Sequence, residues 1–364
     1  MKKFITSQYQ RIKSLYLRYE RILMPATLVI GFLVDYFTFT NIQISITFTV
    51  LSIYWVIAGV TIAFTSLYDA GQLPGRLRYF RLFSPLAIQF TFGALLSASL
   101  IFYWFSGAFS ISWPLMMVVA VLMVSNDIFR HYFIKPAVQI SVYFFTTLSL
   151  LLIILPFIFN SLSVWIFIGA GGISSAIFAL YLYGLFAIAP HSRRQKYQLI
   201  IPVAAILLAM NVLYFTDIIP PIPLALREAG LYHSIKTSGG TYTMRGEPEY
   251  FLQNVFGRQT LHIKPDDRVY LYTAIFAPAK IKTAIVHRWQ YYDPVQKEWL
   301  TKDKLSFSIT GGRQDGFKGY SWESELTPGR WRVYVENQRG QVLGRIRFNV
   351  EKAQGPIELQ EVIR

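Results

Sequence analysis

Four arginines stand at alternating positions in GRWRVYVENQRGQVLGRIRFNV, residues 329–350. Arg330, Arg332 and Tyr334 alternate with Trp331, Val333 and Val335; Arg345 and Arg347 alternate with Ile346, Phe348 and Val350. A side-chain period of two puts each set on one face of a strand. A turn at Gln338–Gly340 would pair the two runs and gather the four guanidinium groups on the solvent face. Like charges opposite one another on a sheet are destabilising, so such a face suits an anion. The candidates are membrane lipid headgroups, an acidic envelope polymer and an acidic protein surface. Tyr292, Tyr320 and Tyr334 are read as exposed aromatics beside the arginines, fit for sugar stacking. The alternative is a solvated surface that keeps the domain soluble. Nucleic acid is not expected as a partner.

Other polar groups invite the same question. In SNDIFRHYFIK, Asp127 stands three residues before Arg130 and four before His131, so the three share a helical face. A proton relay or substrate site would use such a group; so would a helix end where charges meet cytoplasmic water. Asp35, in GFLVDYFTF, is either a pathway residue or an acid near the membrane interface. In AIVHRWQYYD, Ile285, His287, Trp289 and Tyr291 fall on one strand face, and Val286, Arg288, Gln290 and Tyr292 on the other. Trp289 reads as core, with His287 hydrogen-bonded at its edge; no metal-spaced partner accompanies that histidine. There is no Walker loop, HExxH or GxSxG motif and no cysteine. The reading is therefore non-enzymatic, with no metal and no cofactor.

The elements that position these residues divide sharply. Of 364 residues, 53% are hydrophobic and 15% charged, against roughly 25% charged in a soluble globular protein. Only five of the twenty acidic side chains precede residue 218: Glu20, Asp35, Asp69, Asp127 and Asp217. A bilayer-spanning helix needs about 20 apolar residues. Seven such stretches are readable, at 23–41, 45–66, 84–106, 111–129, 138–159, 162–189 and 197–217. Fourteen Lys and Arg lie before the first span and after the second, fourth and sixth, and none after the first, third and fifth. The positive-inside rule then places the N-terminus in the cytoplasm and residues from 218 outside it. The span count and the charge alternation support each other.

Residues 1–22 form a basic segment in which Ile5, Tyr9, Ile12, Tyr16, Tyr19 and Leu23 make one helical stripe. It is a helix on the anionic cytoplasmic leaflet or an extension of the first span. GAGGISSAIFA in the sixth span concentrates small residues that let a neighbouring helix approach. The transmembrane domain runs over 23–217. After it, 218–257 is predicted to be a rigid elbow, where Pro220, Pro221 and Pro223 stop the helix and PLALREA starts a short interfacial one. Short alternating runs at 259–264, 268–277, 282–292, 296–300, 304–310, 317–324, 329–337 and 341–351 predict an all-β, immunoglobulin-like antiparallel sandwich over 258–352. Residues 353–364 are a tail.

VHRWQYYD, YSWES, GRWRVYV and GRIRFNV, with FTDIIPPIPLALREAGLYH before them, resemble a bacterial membrane-anchored family carrying a C-terminal domain of unknown function 2914 (DUF2914). The resemblance covers about 258–352 and, through GFLVDYFTF, extends more weakly along the chain. His287, Trp289 and Trp331 match its motif positions and read as structural. It implies a multi-pass protein of the bacterial inner membrane with an extracytoplasmic domain, and supplies no activity. Three functions remain open: a membrane protein whose outer domain binds a polymer, headgroup or protein; a transporter or enzyme for a lipid-linked substrate, centred on Asp35 or on Asp127, Arg130 and His131; and a structural anchor of an envelope complex.

Overall fold

The computed structural model describes residues 44–106, 109–128, 135–188, 196–220, 224–248, 259–264, 267–277, 281–311, 316–324 and 326–364, with the isolated positions 26 and 30. They form two compact units, the first made chiefly of residues before 217 and the second of Asp217–Arg364 together with Trp104–Trp113 and Phe159–Leu162.

The first unit is helical: α1 Ile44–Asp69, α2 Arg78–Ser106, α3 Phe109–Ile128, α4 Pro136–Phe159, α5 Val164–Ile188 and α6 Lys196–Phe215. The described residues thus hold six helices where the sequence predicted seven spans, and 23–41 lies outside them, as does the basic segment 1–22. Five helices (α1, α2, α4, α5 and α6) are long and apolar enough to cross a membrane. In α3 a shorter apolar stretch, Ser112–Asn126, is described. Burial separates the rest: 67% of the most apolar window of α2 and 72% of that of α4 lie inside the unit, against 28% or less for α1, α5 and α6.

Some polar groups in that unit find partners across helices, which satisfies them where water cannot reach. Trp55 Nε1 donates to Thr147 Oγ1 at 2.8 Å, Asn126 Nδ2 to the Gln89 carbonyl at 3.1 Å, and the Tyr181 hydroxyl to the Gly59 carbonyl at 2.9 Å. Gly59 is required: a Cβ there would collide with the Tyr143 ring. The close approach expected at GAGGISSAIFA is slight by comparison, since Gly169 and Gly172 face open space and Gly171 meets only Leu207 at 3.6 Å.

The second unit holds eleven strands among the described residues: β1 Ala225–Tyr232, β2 Ser234–Ser238, β3 Thr241–Gly246, β4 Gln259–Ile263, β5 Val269–Phe276, β6 Lys282–Asp293, β7 Glu298–Thr310, β8 Phe317–Glu323, β9 Gly329–Asn337, β10 Val342–Lys352 and β11 Gln360–Ile363. They make three sheets, ordered β1-β5-β8, β4-β10-β9-β6-β7 and β11-β3-β2. The β4–β10 pair is parallel, so the five-stranded sheet is mixed rather than antiparallel throughout. The runs predicted at 296–300 and 304–310 are one strand, β7, which absorbs a bulge between the pairs Trp289–Asp303 and Gln290–Thr301. One core joins the first two sheets. It includes Leu271 and Ile275 of β5, Ile285 and Trp289 of β6, Trp331 and Val333 of β9, and Phe348 of β10.

The predicted helix at PLALREA is corrected: Ala225–Tyr232 is a strand, paired antiparallel with β5 from Ala225–Phe276 to Tyr232–Tyr270. Leu, Ala, Arg and Glu favour helix in isolation, but that preference is a fraction of a kcal/mol per residue. Ladder hydrogen bonds to β5 and burial of Leu231 and Tyr232 outweigh it. Pro221 and Pro223 lie outside the described residues. Asp217, at a positive φ of 57°, stands just past the end of α6 where a left-handed residue closes a helix.

Candidate functional site

The β9–β10 turn starts the pairing, and a β-bulge between Val342 and Gly344 shifts it into the register on which the site depends. Asn337 Oδ1 accepts from the backbone nitrogens of Arg339 at 2.9 Å and Gln341 at 3.0 Å, and Gly340 supplies a φ of 83° that suits glycine. Beyond the turn, Arg345 pairs with Tyr334 and Arg347 with Arg332. β9 continues the register into β6, opposing Tyr334 with Arg288 and Arg332 with Gln290, and β6 carries it into β7 at Lys304 and Thr301. Two successive rows result on the outer face: Arg345–Tyr334–Arg288–Lys304 and Arg347–Arg332–Gln290–Thr301. Arg330, two residues before Arg332, shares that face.

The structure therefore gathers Arg330, Arg332, Arg345, Arg347, Tyr334 and Tyr292 on one sheet face, and adds Arg288, Lys304, Gln290 and Trp299. The aromatic rings relieve the crowding of charge. Arg330 lies 3.7 Å over the Tyr292 ring and Arg332 4.0 Å over Trp299, while Tyr292 and Trp299 pack edge to face at 5.3 Å. Tyr334 is not the exposed aromatic expected from the sequence. It is 8% exposed, beneath Arg288, Arg332 and Arg345, whose guanidinium carbons stand 4.7, 5.0 and 5.9 Å from its centroid. Tyr320 stands on β8, in a different sheet.

Charge on this face is unbalanced. Six side chains on it are cationic, and Glu336 beside them gives its carboxylate to Arg288. Arg332 donates through Nε to Gln290 Oε1 at 2.8 Å, a neutral acceptor. Burial lowers the Arg332 pKa from its ordinary value; Tyr334 opposes this, and Arg345, Arg288 and Arg347 lower it further. The face thus holds guanidinium groups over aromatic rings, and guanidinium groups are suited to carboxylate or phosphate oxygens.

The other face of the same strands is closed. Trp289 Nε1 donates to Ser321 Oγ at 3.0 Å, and Ser321 lies 2.8 Å from His287 Nδ1. His287 Nε2 stands 3.2 Å from Thr273 Oγ1, which reaches the Gly319 carbonyl at 3.4 Å. Run in that direction, each donor meets an acceptor when His287 is neutral with its proton on Nε2. Burial pushes the His287 pKa down to about 3, which keeps it neutral at physiological pH. His287, Trp289 and Trp331 are thus internal and join sheets; the Trp331 indole donates to the Thr327 carbonyl at 2.8 Å.

A second polar cluster escaped the sequence reading. Glu247 accepts from His233 Nε2 at 3.1 Å through Oε1, and from His262 through the backbone nitrogen at 2.7 Å and Nδ1 at 2.8 Å. It borders a cleft of about 370 Å³, also lined by Gln259, Thr260, Gln354 and Glu358. No motif marks it, because the three residues meet only through strand pairing. Among the described residues no group of three or more His, Asp or Glu is placed to hold a metal ion. Asp35, Arg130 and His131 lie outside the described residues, as does the side chain of Asp127 at the end of α3.

Together these features define a chain with a helical region of membrane-spanning length followed by a β-rich C-terminal region with one basic face. Residues 282–350, from β6 into β10, match the model of a family described as a protein of unknown function, DUF2914. The match takes in Arg288, His287, Trp289, Trp331 and the hairpin's Arg330, Arg332, Arg345 and Arg347. A search of curated proteins finds no match. Among solved structures, one alignment is to the Pseudomonas fluorescens alkylpurine DNA glycosylase AlkC bound to DNA containing an abasic site analog. It has 12% identity, covers 93% of this chain and 99% of that one, and has a TM-score of 0.23, too low to carry an argument.

Proposed function

We propose that this is a non-enzymatic, multi-pass protein of the bacterial inner membrane whose extracytoplasmic, immunoglobulin-like β domain binds an anionic envelope polymer through the arginine face. The observation that carries the reading is the excess of guanidinium groups on that face, stacked on Tyr292, Trp299 and Tyr334 with one carboxylate among them. A charge pattern kept only for solubility would disperse arginines among acids. Here they are concentrated and their aromatic supports hold them in place. The expected orientation, with the N-terminus in the cytoplasm, follows from the arrangement of Lys and Arg between the spans.

Inorganic polyphosphate tests the binding. The full-length chain in zwitterionic nanodiscs is expected to bind it, and Arg330→Gln/Arg332→Gln/Arg345→Gln/Arg347→Gln to lose about tenfold or more in affinity. Equal affinity of the two proteins refutes the reading; selective binding to anionic vesicles instead would assign the face to lipid headgroups. Because the chain contains no cysteine, Val295→Cys can report topology. Labelling of that thiol from the cytoplasmic side alone would reverse the orientation.

A further inference from the structure

The arginine face is one outer surface of the β unit; the outward side of the β1-β5-β8 sheet is another, with different chemistry. Its outward positions are Tyr270, Tyr272, Ala274 and Phe276 on β5, and Lys318, Tyr320 and Trp322 on β8. Tyr270 pairs with Trp322, and Tyr272 with Tyr320. Tyr272 is covered by the third sheet through Tyr242, at 5.6 Å between centroids. Ala274 is buried with it and Tyr270 is half-buried, so the open part of the face is Tyr320 and Trp322. Tyr320 is 40% exposed and Trp322 is 42% exposed, on an edge strand. Tyr320 packs at 6.1 Å against Tyr270 and at 6.3 Å against Tyr242. Arg268 lies 4.5 Å over Trp322, and Lys318 occupies the far end of the same strand face.

Large exposed aromatic patches mark interaction surfaces, and the composition of this one selects among them. The outward positions of β5 and β8 include no Leu, Ile, Val or Met. A face that enters a bilayer or packs on a protein core usually carries such aliphatic groups. Tyrosine and tryptophan instead offer a flat apolar face with a hydrogen-bonding rim. A sugar ring is the complementary object, with one face of C–H bonds and a rim of hydroxyls. The two cations at the ends of the platform complement a carboxylate. Arg268, over the Trp322 ring, has a planar guanidinium suited to pair with one.

We infer that Tyr320, Trp322 and Tyr270, with Arg268, form a second binding site, for an oligosaccharide bearing carboxylate groups. It lies on a different sheet from the arginine face and does not depend on it. Trp322 and Tyr320 stack on successive sugar rings, about 6.7 Å apart along alternate positions of the strand, and Arg268 fixes the acid group.

The test uses the full-length chain in zwitterionic nanodiscs, with hexagalacturonate as probe and maltohexaose as the neutral comparison. Hexagalacturonate is expected to bind more tightly than maltohexaose. Trp322→Ala and Tyr320→Ala should each weaken it by about tenfold, the worth of one lost aromatic stack, while Trp322→Phe retains most of the affinity. Arg268→Gln should remove the preference for the acidic sugar. Arg330→Gln/Arg332→Gln/Arg345→Gln/Arg347→Gln removes the arginine face as a competing anion site. In that background polyphosphate binding should be lost, while hexagalacturonate should still bind and should still be weakened about tenfold by Trp322→Ala, which separates this site from the arginine face. Absence of hexagalacturonate binding, or unchanged affinity in Trp322→Ala and Tyr320→Ala, overturns the inference. So does loss confined to the arginine variant, or a Trp322→Ala defect seen only in binding to vesicles.

Discussion

Strands β6 and β9 carry opposite chemistry on their two faces, one residue apart. His287 and Trp289 point into a closed chain in which each donor meets an acceptor. Arg288 and Gln290, their neighbours, point out to a face where cations outnumber carboxylates. The difference separates what holds the domain together from what is left over for a partner. Inside, the chain from Trp289 through Ser321 and His287 to Thr273 is satisfied and burial keeps His287 uncharged, so these residues contribute to stability. Outside, charge is concentrated and supported by rings, a state that adds little to stability and is relieved by an anion. Residues 282–350, which match the DUF2914 model, contain both faces.

Five substitutions break or sharpen that contrast. The largest effect is expected inside: Trp289→Ala or Trp331→Ala should cost about 3–5 kcal/mol, as for other buried aromatics. Amide exchange of β6 and β9 in the full-length protein would report it as lost protection. Next is the pH dependence carried by His287. Its folded-state pKa is depressed, so its contribution is present above about pH 6.5 and lost as pH falls, because the unfolded chain takes up a proton that the folded one refuses. Between pH 7 and 5 the wild type should lose about 2 kcal/mol that His287→Gln does not lose; parallel pH profiles would contradict the neutral chain.

Outside, effects on stability shrink and effects on binding grow. Glu336→Gln strands Arg288 and should cost about 1–2 kcal/mol, discounted for the partial exposure of the pair. The same change removes the one carboxylate from the cationic cluster and should strengthen polyphosphate binding; weaker binding would show that Glu336 orders the site. The smallest stability change is expected for Arg332→Met, within about 1 kcal/mol, because lost stacking is offset by relief from neighbouring arginines. A denaturation series on the full chain would show whether Arg332 is more structural than that.

Much of this contrast was legible in the sequence because it is local. Within each strand the period-two alternation of 284–292, 329–337 and 345–350 assigned inward and outward residues, but the bulge between Val342 and Gly344 that sets the β9–β10 register was not announced. What was not legible depended on strands far apart in the chain. Arg288 joined the arginines only through the β6–β9 pairing, and Trp299 only through β7, with a bulge that no alternation announces. For the same reason Tyr334 read as exposed: the three guanidinium groups above it come from three strands. In β1, helix-favouring residues form a strand because an unpaired edge of β5 is available. Glu247 meets His233 and His262 by the same kind of non-local pairing.

The central claim is that the outer arginines are held ready for a polyanion rather than spent on the fold. The salt dependence of polyphosphate binding tests it most directly, since each phosphate neutralised releases a counterion and steepens the decline of affinity with salt. Full-length wild type and Arg330→Gln/Arg332→Gln/Arg345→Gln/Arg347→Gln would be compared over a salt series, with amide exchange confirming an intact β unit. The account predicts a steep slope for the wild type and a much shallower one for the variant. Equal slopes, with folding preserved, would contradict it.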